Sequence, residues 1–367
     1  MSILADHFPR AVDDPVDDPR ARREDTAATT EAASAAVPGT FTRIGLSDEA
    51  RDELGARLAE LGEPGVDIDR SMTRYLQIFA GLPTETLQQI LDVGRHVDTA
   101  GVALVDNLPV DERLPDTPSD GGPCRNKPSF VAEGVLLGLS GLIGEPMGVR
   151  TEKAGQLVHD VIPVQDGART QTNEGSEVFL NFHSDIMYDA IGRYDIANPD
   201  FLVLSCLRAD HEGAAATHYA DARDISAALD PQTLETLRSP LFRLNAPGSY
   251  TRRVAGGAEV LSEPVPLISG SDAYPEIAIS ANGVRPLTSG ARVALDRLQE
   301  VCGAVAHGVR LRPGQALLIN NRKGVHARTT FTARYDGRDR WLQRTYVRRS
   351  LWSVRYRVTP ENRRVHY

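Results

Sequence analysis

The chain contains few cysteines and has no long apolar run. Its three cysteines, Cys124, Cys206 and Cys302, include no C-x-x-C pair. Sparse, unpaired thiols argue against a disulfide framework and favour reduced cysteines in a cytoplasmic protein. No stretch reaches the roughly 20 apolar residues that a membrane helix needs, and the N-terminus lacks the basic and apolar segments of a secretory signal. We therefore expect a cytoplasmic protein that has no membrane partner.

An excess of basic residues is also missing. The chain has 41 Lys and Arg residues and 50 Asp and Glu residues, which gives a formal net charge of −9. A nucleic-acid-binding surface needs a basic face, so we expect no nucleic-acid partner. The late arginines, among them Arg355, Arg357, Arg363 and Arg364, are interpreted as a solvated strand face and tail. Nothing in the composition indicates the oligomeric state.

The composition changes along the chain and suggests its domain organisation. Residues 1–38 mix Asp, Arg, Ala, Thr and Pro with almost no aromatic or β-branched residues. Such a segment buries too little apolar surface to offset its ordering entropy, so we predict a flexible tail. The remainder, 39–367, is predicted to be one domain, with a helical part over about 39–147 and a β-rich core over about 148–352.

Periodic apolar residues predict the secondary structure. Ser47 and Thr84 are candidate starts of two helices, and a third is predicted near Val131–Ile143. Two more helical stretches are predicted at about 222–238 and 288–303. Short β-rich runs, separated by Gly, Pro and Asp, dominate the rest of the chain beyond residue 148. This pattern predicts a mainly β fold with flanking helices, arranged as a double-sheet jelly roll.

The sequence His183-Ser184-Asp185, with His326 far downstream, carries the strongest chemical signal. Two histidines and one carboxylate can form a facial triad, which leaves positions on a ferrous ion open for oxygen chemistry. On a strand, residues 183 and 185 project from the same face. Taken alone, a His-x-Asp sequence is more often an ordinary core histidine beside a turn. The downstream residues decide in favour of a metal site.

The downstream block combines an apolar strand, a polar turn and the second histidine. Ala316–Ile319 is the strand, and His326 is predicted to lie on a strand across the barrel from His183. Asp336-Gly337 predicts a tight hairpin that returns Arg340 toward the metal. The planar guanidinium of an arginine can hold a carboxylate through two charge-assisted hydrogen bonds. We therefore expect an acidic cosubstrate next to the metal.

Together, Asn181–Asp185, the Leu-Ile-Asn-Asn-Arg block that leads to His326, and Asp339–Arg344 resemble the clavaminate synthase-like family of iron(II)/2-oxoglutarate oxygenases. This family includes hydroxylases of free arginine, asparagine and lysine. The resemblance spans residues from about 100 to 352. It implies a double-stranded β-helix (jelly-roll, cupin-like) core, Fe(II) held by His183, Asp185 and His326, and 2-oxoglutarate and O2 as cosubstrates.

The same resemblance implies roles for four further residues. Arg340 would bind the distal carboxylate of 2-oxoglutarate, and Thr217 would assist it. Arg344, four positions later on the same strand face, would hold a carboxylate of the substrate. Gln156 would contact the amino end of the substrate. No catalytic residue is expected beyond the metal ligands.

These features predict hydroxylation of an unactivated C–H bond of a free amino acid or amino acid derivative, with succinate and CO2 as coproducts, in specialised metabolism such as antibiotic biosynthesis. Related halogenases have a small residue where this chain has Asp185, so the carboxylate favours hydroxylation. Desaturation and ring closure by the same chemistry remain alternatives. So do a zinc-dependent hydrolase and a non-catalytic β-barrel binding protein.

Two departures from the family pattern concern the substrate. The segment 186–199 is longer than the usual link, carries Asp189 and Asp195, ends next to Asp200, and is predicted to form part of a lid. Family members that accept basic amino acids often place acids just after the strand equivalent to 276–279. Here Ser280 and Asn282 stand there, which argues against guanidinium binding, although Asp272 or the lid acids leave a cationic side chain as an alternative.

Overall fold

The computed structural model describes residues 41–65, 67–124, 126–172, 174–188, 198–357 and 364–366. Its strands are β1 (Phe41–Gly45), β2 (Val102–Asp106), β3 (Glu145–Val149), β4 (His159–Val161), β5 (Leu180–His183), β6 (Phe201–Arg208), β7 (Thr217–Asp221), β8 (Phe242–Leu244), β9 (Ile268–Gly270), β10 (Pro275–Ile277), β11 (Val284–Pro286), β12 (His307–Val309), β13 (Ala316–Asn320), β14 (Gly324–Arg328), β15 (Trp341–Arg348) and β16 (Val365–His366). Its α-helices are α1 (Asp48–Ala59), α2 (Ile68–Phe79), α3 (Thr84–Arg95), α4 (Val131–Ile143), α5 (Ala222–Ala228), α6 (Pro231–Leu237), α7 (Gly248–Arg253) and α8 (Ser289–Val305).

Two sheets dominate the fold. The major sheet has eight strands in the order β1-β2-β13-β6-β15-β3-β16, and β4 also pairs with β15. The minor sheet has four strands in the order β12-β7-β14-β5. Two small sheets, β9 with β10 and β8 with β11, complete the described pairings. This is the mainly β architecture with flanking helices that the sequence predicts.

Successive side chains of the major sheet pack into two separate hydrophobic cores, one on each face of the sheet. Val203, Leu318 and Val347 belong to a buried cluster with residues of α1 to α4. Leu317 and Leu342, on the opposite faces of their strands, belong to a second cluster on the inner side. Because successive strand residues point to opposite faces, a strand buried on both sides must be apolar almost throughout. The run Ala316–Ile319 has this composition for this reason.

The minor sheet is covered on its outer face by helices as well. Val325 and Ala327 of β14 cluster with Ile225 of α5, Leu237 of α6 and Leu298 of α8. Helices therefore flank both sheets, and the inner faces are left to form the cavity that is described below.

Local sequence signals explain the helix boundaries. Ser47 accepts a hydrogen bond from the Ala50 backbone N–H and caps α1, as predicted. The helices that begin at Thr84 and Val131 are confirmed. The predicted helix over about 222–238 is two helices, because Pro231 cannot donate an N–H within a helix and instead starts α6, which Asp230 caps. The strongly amphipathic α2 was not predicted.

The predicted hairpin at Asp336-Gly337 is wrong. Its two arms do not pair: β14 lies between β7 and β5 in the minor sheet, whereas β15 pairs with β6, β3 and β4 in the major sheet. Gly337 has a positive φ of 81°, so a turn does form there. The segment crosses from one sheet to the other, and Asp339 holds it by accepting the N–H groups of Arg334 and Tyr335.

The predicted N-terminal tail lies outside the described residues, so the tail and the domain boundary after residue 38 stay predictions. Within the described residues, no helix is both long and apolar enough to cross a membrane.

A buried ionic network attaches α4 to the loop before it and to β15. Lys127 Nζ donates to Asp111 Oδ2 at 2.7 Å and to Glu133 Oε2 at 2.6 Å. The other Glu133 oxygen accepts from Gln343 Nε2 of β15 at 2.8 Å. The Lys127 side chain is 1% exposed. Removal of one partner from such a group leaves buried charges without compensation, which is far costlier than the loss of a surface pair.

We therefore expect Lys127→Met to lower the free energy of unfolding by about 3–5 kcal/mol, measured by urea denaturation. The matched control is Arg285→Met, which removes an ion pair with Glu259 from a side chain that is 55% exposed. This control should change stability by less than about 1 kcal/mol. Equal effects of the two substitutions would contradict the proposed importance of the buried network.

Candidate metal centre and active-site cavity

The two predicted histidine ligands are direct cross-strand neighbours. His183 ends β5 and pairs in register with His326 of β14, and their ring centroids lie 4.2 Å apart. The sequence interpretation put His326 across the barrel, and this detail is wrong: the two imidazoles come from adjacent strands of the minor sheet. Both side chains are buried, at 6% and 7% exposure.

The carboxylate of Asp185 joins them just beyond the end of β5. Asn321 fixes this position, because its Oδ1 accepts the Asp185 backbone N–H at 2.8 Å and its Nδ2 donates to the Asp185 carbonyl at 2.9 Å. Ser184, between the two predicted ligands, donates its N–H to the Ile279 carbonyl at 2.8 Å. The segment that carries the predicted ligands is therefore held on both sides by backbone hydrogen bonds.

The donor set fits a divalent metal ion. One donor atom from each of His183, Asp185 and His326 lies within 4.8 Å of the others. His326 Nε2 and Asp185 Oδ2 are 3.6 Å apart, which is too far for a strong hydrogen bond and close to the ~3 Å between two ligands that each lie about 2 Å from one ion. Asp185 Oδ2 is buried and has no hydrogen-bond partner among the described residues. A cation between these atoms would satisfy it.

The protonation states also suit a metal. Burial lowers the pKa of His183, and it lowers the pKa of His326 to about 3 with help from the neighbouring imidazole, so both rings are neutral at neutral pH. His183 Nδ1 contacts the Asn181 carbonyl at 2.8 Å, which directs its Nε2 lone pair outward. Burial alone would raise the pKa of Asp185, but Arg344 and the two histidines outweigh burial and lower it.

A second group of candidate ligands, His211 with Asp336 and Asp339, lies in the crossing segment. Asp339 already accepts two backbone N–H groups, and Asp336 accepts another from Arg338. These carboxylates therefore serve to shape the loop that precedes Arg340.

The His183–Asp185–His326 group opens into a cavity of about 410 Å³. Every second residue along one side of β15 lines it: Arg340 immediately before the strand, then Leu342, Arg344 and Tyr346. This alternation follows from the period of two along a strand. Arg340 and Arg344 therefore face the same cavity, as predicted, although β15 reaches it from the opposite sheet.

One end of the cavity is strongly cationic. Arg340 is buried, and its guanidinium lies 5.6 Å from the centre of the Phe331 ring. Arg328 lies 5.5 Å from the centre of the same ring and donates to the carbonyls of Gly175 and Val178. No carboxylate among the described residues forms an ion pair with either arginine. Burial and the charge of Arg340 lower the pKa of Arg328 to about 10. Thr217 also lines this cavity.

Arg344, which also lines the cavity, has a carboxylate neighbour that the sequence interpretation missed. Its Nη2 lies 3.2 Å from Glu152 Oε2, and its Nη1 lies 3.6 Å from Asp185 Oδ1. The Tyr346 hydroxyl donates to Glu152 at 3.0 Å and lies 3.2 Å from Asp185 Oδ1. The period of the strand could have identified Tyr346, two residues after Arg344. Nothing in the local sequence marks Glu152, which comes from a distant loop.

Other predicted site residues lie elsewhere. The Gln156 side chain is exposed and does not line the cavity, although its carbonyl accepts from His159 at 2.9 Å. Asp200 pairs with Arg322 at 2.8 Å, and Asp272 is a surface residue that pairs with Arg238; neither lines the cavity. Asp189 and Asp195 of the predicted lid lie outside the described residues.

Comparison with known proteins agrees with this geometry. Residues 81–346 match the family model described as "Taurine catabolism dioxygenase TauD, TfdA family". The chain is 33% identical to an L-asparagine oxygenase of Streptomyces coelicolor, with 86% of this chain and 92% of the relative covered. It is 32% identical to clavaminate synthase 2 of Streptomyces clavuligerus, with 81% and 90% covered. A solved structure of an asparagine oxygenase, in complex with Fe(II), 2S,3S-3-hydroxyasparagine and succinate, is similar to this fold with a TM-score of 0.78. The two chains are 31% identical, and the match covers 88% of this chain and 98% of the asparagine oxygenase.

Fold and site together define an iron(II)/2-oxoglutarate-dependent oxygenase with a double-stranded β-helix core. The chain belongs to the TauD/TfdA dioxygenase family. The fold class and the family resemblance that the sequence predicts are confirmed.

The buried His159 next to the cavity makes stability depend on pH. Burial, and then the charge of Arg344, lower the pKa of His159 from 6.5 to about 3. Between these two values the unfolded chain binds a proton that the native protein does not, so stability falls as the pH drops below about 6.5. We expect this residue to account for about 2 kcal/mol of the stability lost between pH 7 and pH 5.

His159→Gln should remove this part of the pH dependence in urea unfolding at the two pH values. His96→Gln, at a side chain that is 65% exposed, is the matched control and should leave the pH dependence unchanged. An unaltered pH dependence in His159→Gln would contradict the assignment.

Proposed function

We propose that the protein hydroxylates an unactivated C–H bond of a free amino acid, with succinate and CO2 as coproducts. One observation carries this proposal: a buried His–Asp–His group opens into a cavity that Arg340 and Arg344 both line from β15 and its start. One arginine suits the dicarboxylate cosubstrate and the other suits the carboxylate of an amino acid. The names of the relatives, an L-asparagine oxygenase and an L-lysine 3-hydroxylase among them, support the substrate class.

In this proposal His183, Asp185 and His326 hold Fe(II) through Nε2 of each ring and one carboxylate oxygen. When bound, iron and 2-oxoglutarate supply the activation of dioxygen. The residues around the ligands supply their orientation. Asn321 fixes the backbone of Asp185, and the Asn181 carbonyl fixes the tautomer of His183.

Arg340 binds the distal carboxylate of 2-oxoglutarate, and Thr217 lies at the same cavity. Neither Arg340 nor Arg328, which form the cationic end, makes an ion pair with a carboxylate of the described residues, and the charge of Arg340 lowers the pKa of Arg328. A dianionic cosubstrate would relieve the repulsion between the Arg340 and Arg328 charges as it binds. This gain would add to the free energy of the hydrogen bonds that the guanidinium makes with the carboxylate. The aliphatic side chains of Leu202, Leu204 and Leu342 line the same cavity and exclude water from it.

Arg344 binds the substrate carboxylate, and Glu152 binds the substrate ammonium group. The two side chains lie 3.2 Å apart and are mostly buried, at 12% and 17% exposure. An amino acid carries the complementary pair of charges on one carbon, so it can exchange the internal ion pair for two external ones. A contact of Gln156 with this end of the substrate remains a prediction, which the exposed side chain outside the cavity lining does not support.

The carboxylate at position 185 also supports the choice of reaction. Asp185 lies within the cluster and so occupies the position that a halogenase would leave for chloride. Desaturation and ring closure would begin from the same site, and the identity of the product distinguishes them. A cytoplasmic location stays a prediction, and the oligomeric state remains open.

Purified protein with Fe(II) and 2-oxoglutarate tests the proposal. We expect at least one free amino acid to raise succinate formation about tenfold or more and to yield a product that is heavier by one oxygen atom. Asp185→Ala should weaken Fe(II) binding and lower succinate formation by about 100-fold or more. Asp272→Ala, at an exposed side chain away from the cavity, is the control and should behave as wild type. A wild-type protein that no free amino acid stimulates would overturn the proposed substrate class.

Arg340→Gln tests the cosubstrate site separately. Loss of a buried guanidinium–carboxylate contact costs about 2–5 kcal/mol, so the KM for 2-oxoglutarate should rise by about 30-fold or more. Fe(II) affinity should remain as in the wild type, since Arg340 is not among the clustered donor residues. Arg285→Gln, on the surface, is the control. An unchanged KM for 2-oxoglutarate would show that another cation binds the cosubstrate.

A further inference from the structure

The charge of the cavity lining bears on which amino acid the protein accepts. Six cationic side chains line the cavity: Lys153, Arg252, Arg253, Arg328, Arg340 and Arg344. The acidic side chains in the described lining are three: Glu152, Glu174 and Asp185. The proposed function uses Arg340 for the cosubstrate, and it pairs Arg344 with Glu152 and Asp185 with iron. Glu174 is paired with Lys153 at 3.0 Å. Arg328, Arg252 and Arg253 then remain as cations with no assigned anion. Arg328 contacts the same Phe331 ring as Arg340 and so belongs to the cosubstrate end of the cavity, which leaves Arg252 and Arg253.

Both of these arginines come from α7, of which Gly248, Ser249, Arg252 and Arg253 line the cavity, and both are exposed at its edge. Arg253 donates to the Arg150 carbonyl at 3.0 Å, which is an uncharged partner. Arg252 makes no ion pair with any described residue. A Cβ built on Gly248 would lie 3.2 Å from Arg252 Nη1 and 3.7 Å from Asn282 Oδ1. The guanidinium of Arg252 therefore folds back over the start of its helix, toward Asn282.

Asn282 connects this cationic group to the metal centre. Ser280 forms a parallel bridge with Ser184, the residue between His183 and Asp185. Ser280 Oγ also accepts the Asn282 N–H at 3.2 Å and donates to the Asn245 carbonyl at 2.7 Å. The segment Ser280–Asn282 thus runs from the predicted metal ligands to the Arg252 side of the cavity, and it carries no acidic residue along this path.

We infer that the amino acid substrate has a side chain that ends in a carboxylate, with Arg252 as its anchor and Arg253 as a second source of positive charge. This inference rests on the proposed function and specifies its substrate class. A basic side chain would enter a region in which the described cations outnumber the described acids, and it would meet like charges without gaining a partner. An anionic side chain would gain a charge-assisted contact with a guanidinium that forms no ion pair with any carboxylate of the described residues.

Succinate formation with three matched pairs of free amino acids tests the inference: L-aspartate and L-glutamate, L-asparagine and L-glutamine, L-lysine and L-arginine. We expect kcat/KM for the better acidic substrate to exceed that for its amide counterpart and for both basic amino acids by about tenfold or more. Arg252→Glu should lower kcat/KM for the acidic substrate by about tenfold or more and should raise kcat/KM for the basic pair.

The same measurements separate this inference from the proposed function. Arg292→Glu, an exposed residue of α8 outside the cavity, carries the same charge change and should leave all preferences unchanged. An amide or basic amino acid that is turned over best, with no response to Arg252→Glu, would overturn the inference and leave the proposed function intact. Failure of all six amino acids to stimulate the wild type, while another free amino acid succeeds, would also overturn it. If no free amino acid succeeds, the proposed function itself fails.

Discussion

The antiparallel pairing of β5 with β14 is the constraint on which the active site depends. It puts His183 directly opposite His326, so that two imidazoles that are far apart in the sequence approach to 4.2 Å between ring centroids. A slip of one residue in this pairing would turn one imidazole to the other face of the sheet. The third donor is fixed by Asn321, which follows the central strand β13 and holds the Asp185 backbone at both of its hydrogen-bonding groups. The proposed metal centre is therefore assembled by backbone register, and its side chains need only small adjustments.

The opposite sheet supplies the binding groups. Alternate residues of β15 face the cavity, and the strand is anchored from behind by Gln343, whose amide reaches the buried Glu133–Lys127–Asp111 network. This arrangement separates two tasks. The minor sheet carries the proposed metal ligands, and the major sheet carries the arginines proposed for cosubstrate and substrate. The distance between the two sheets then determines how far the oxidised carbon lies from the metal, which is a matter of core packing rather than of any single residue.

Electrostatics divides the cavity further. Next to the metal, Arg344, Glu152, Tyr346 and Asp185 form a tight network in which opposite charges are matched. Toward Arg340, and again toward α7, positive charge predominates. The excess of positive charge near Arg340 suits a dicarboxylate cosubstrate. The excess near α7 is the basis for the inference that the substrate has an acidic side chain. Relatives with related folds can therefore differ in substrate through a few residues at the edge of the cavity while the metal centre stays the same.

The sequence by itself determined which side chains are available for the proposed centre, because ligand type is a property of individual side chains. His183, Asp185 and His326 are predicted as ligands from residue type and motif, and Arg340 and Arg344 as binding residues from their spacing of four positions. Tertiary structure alone decided which strands are neighbours. The hairpin predicted at Asp336-Gly337 is a crossing between sheets, since a turn sequence fixes local backbone conformation but not the partner of the strand that follows. Glu152 and the α7 arginines are ordinary polar residues in the sequence, and only the folded chain brings them to the cavity.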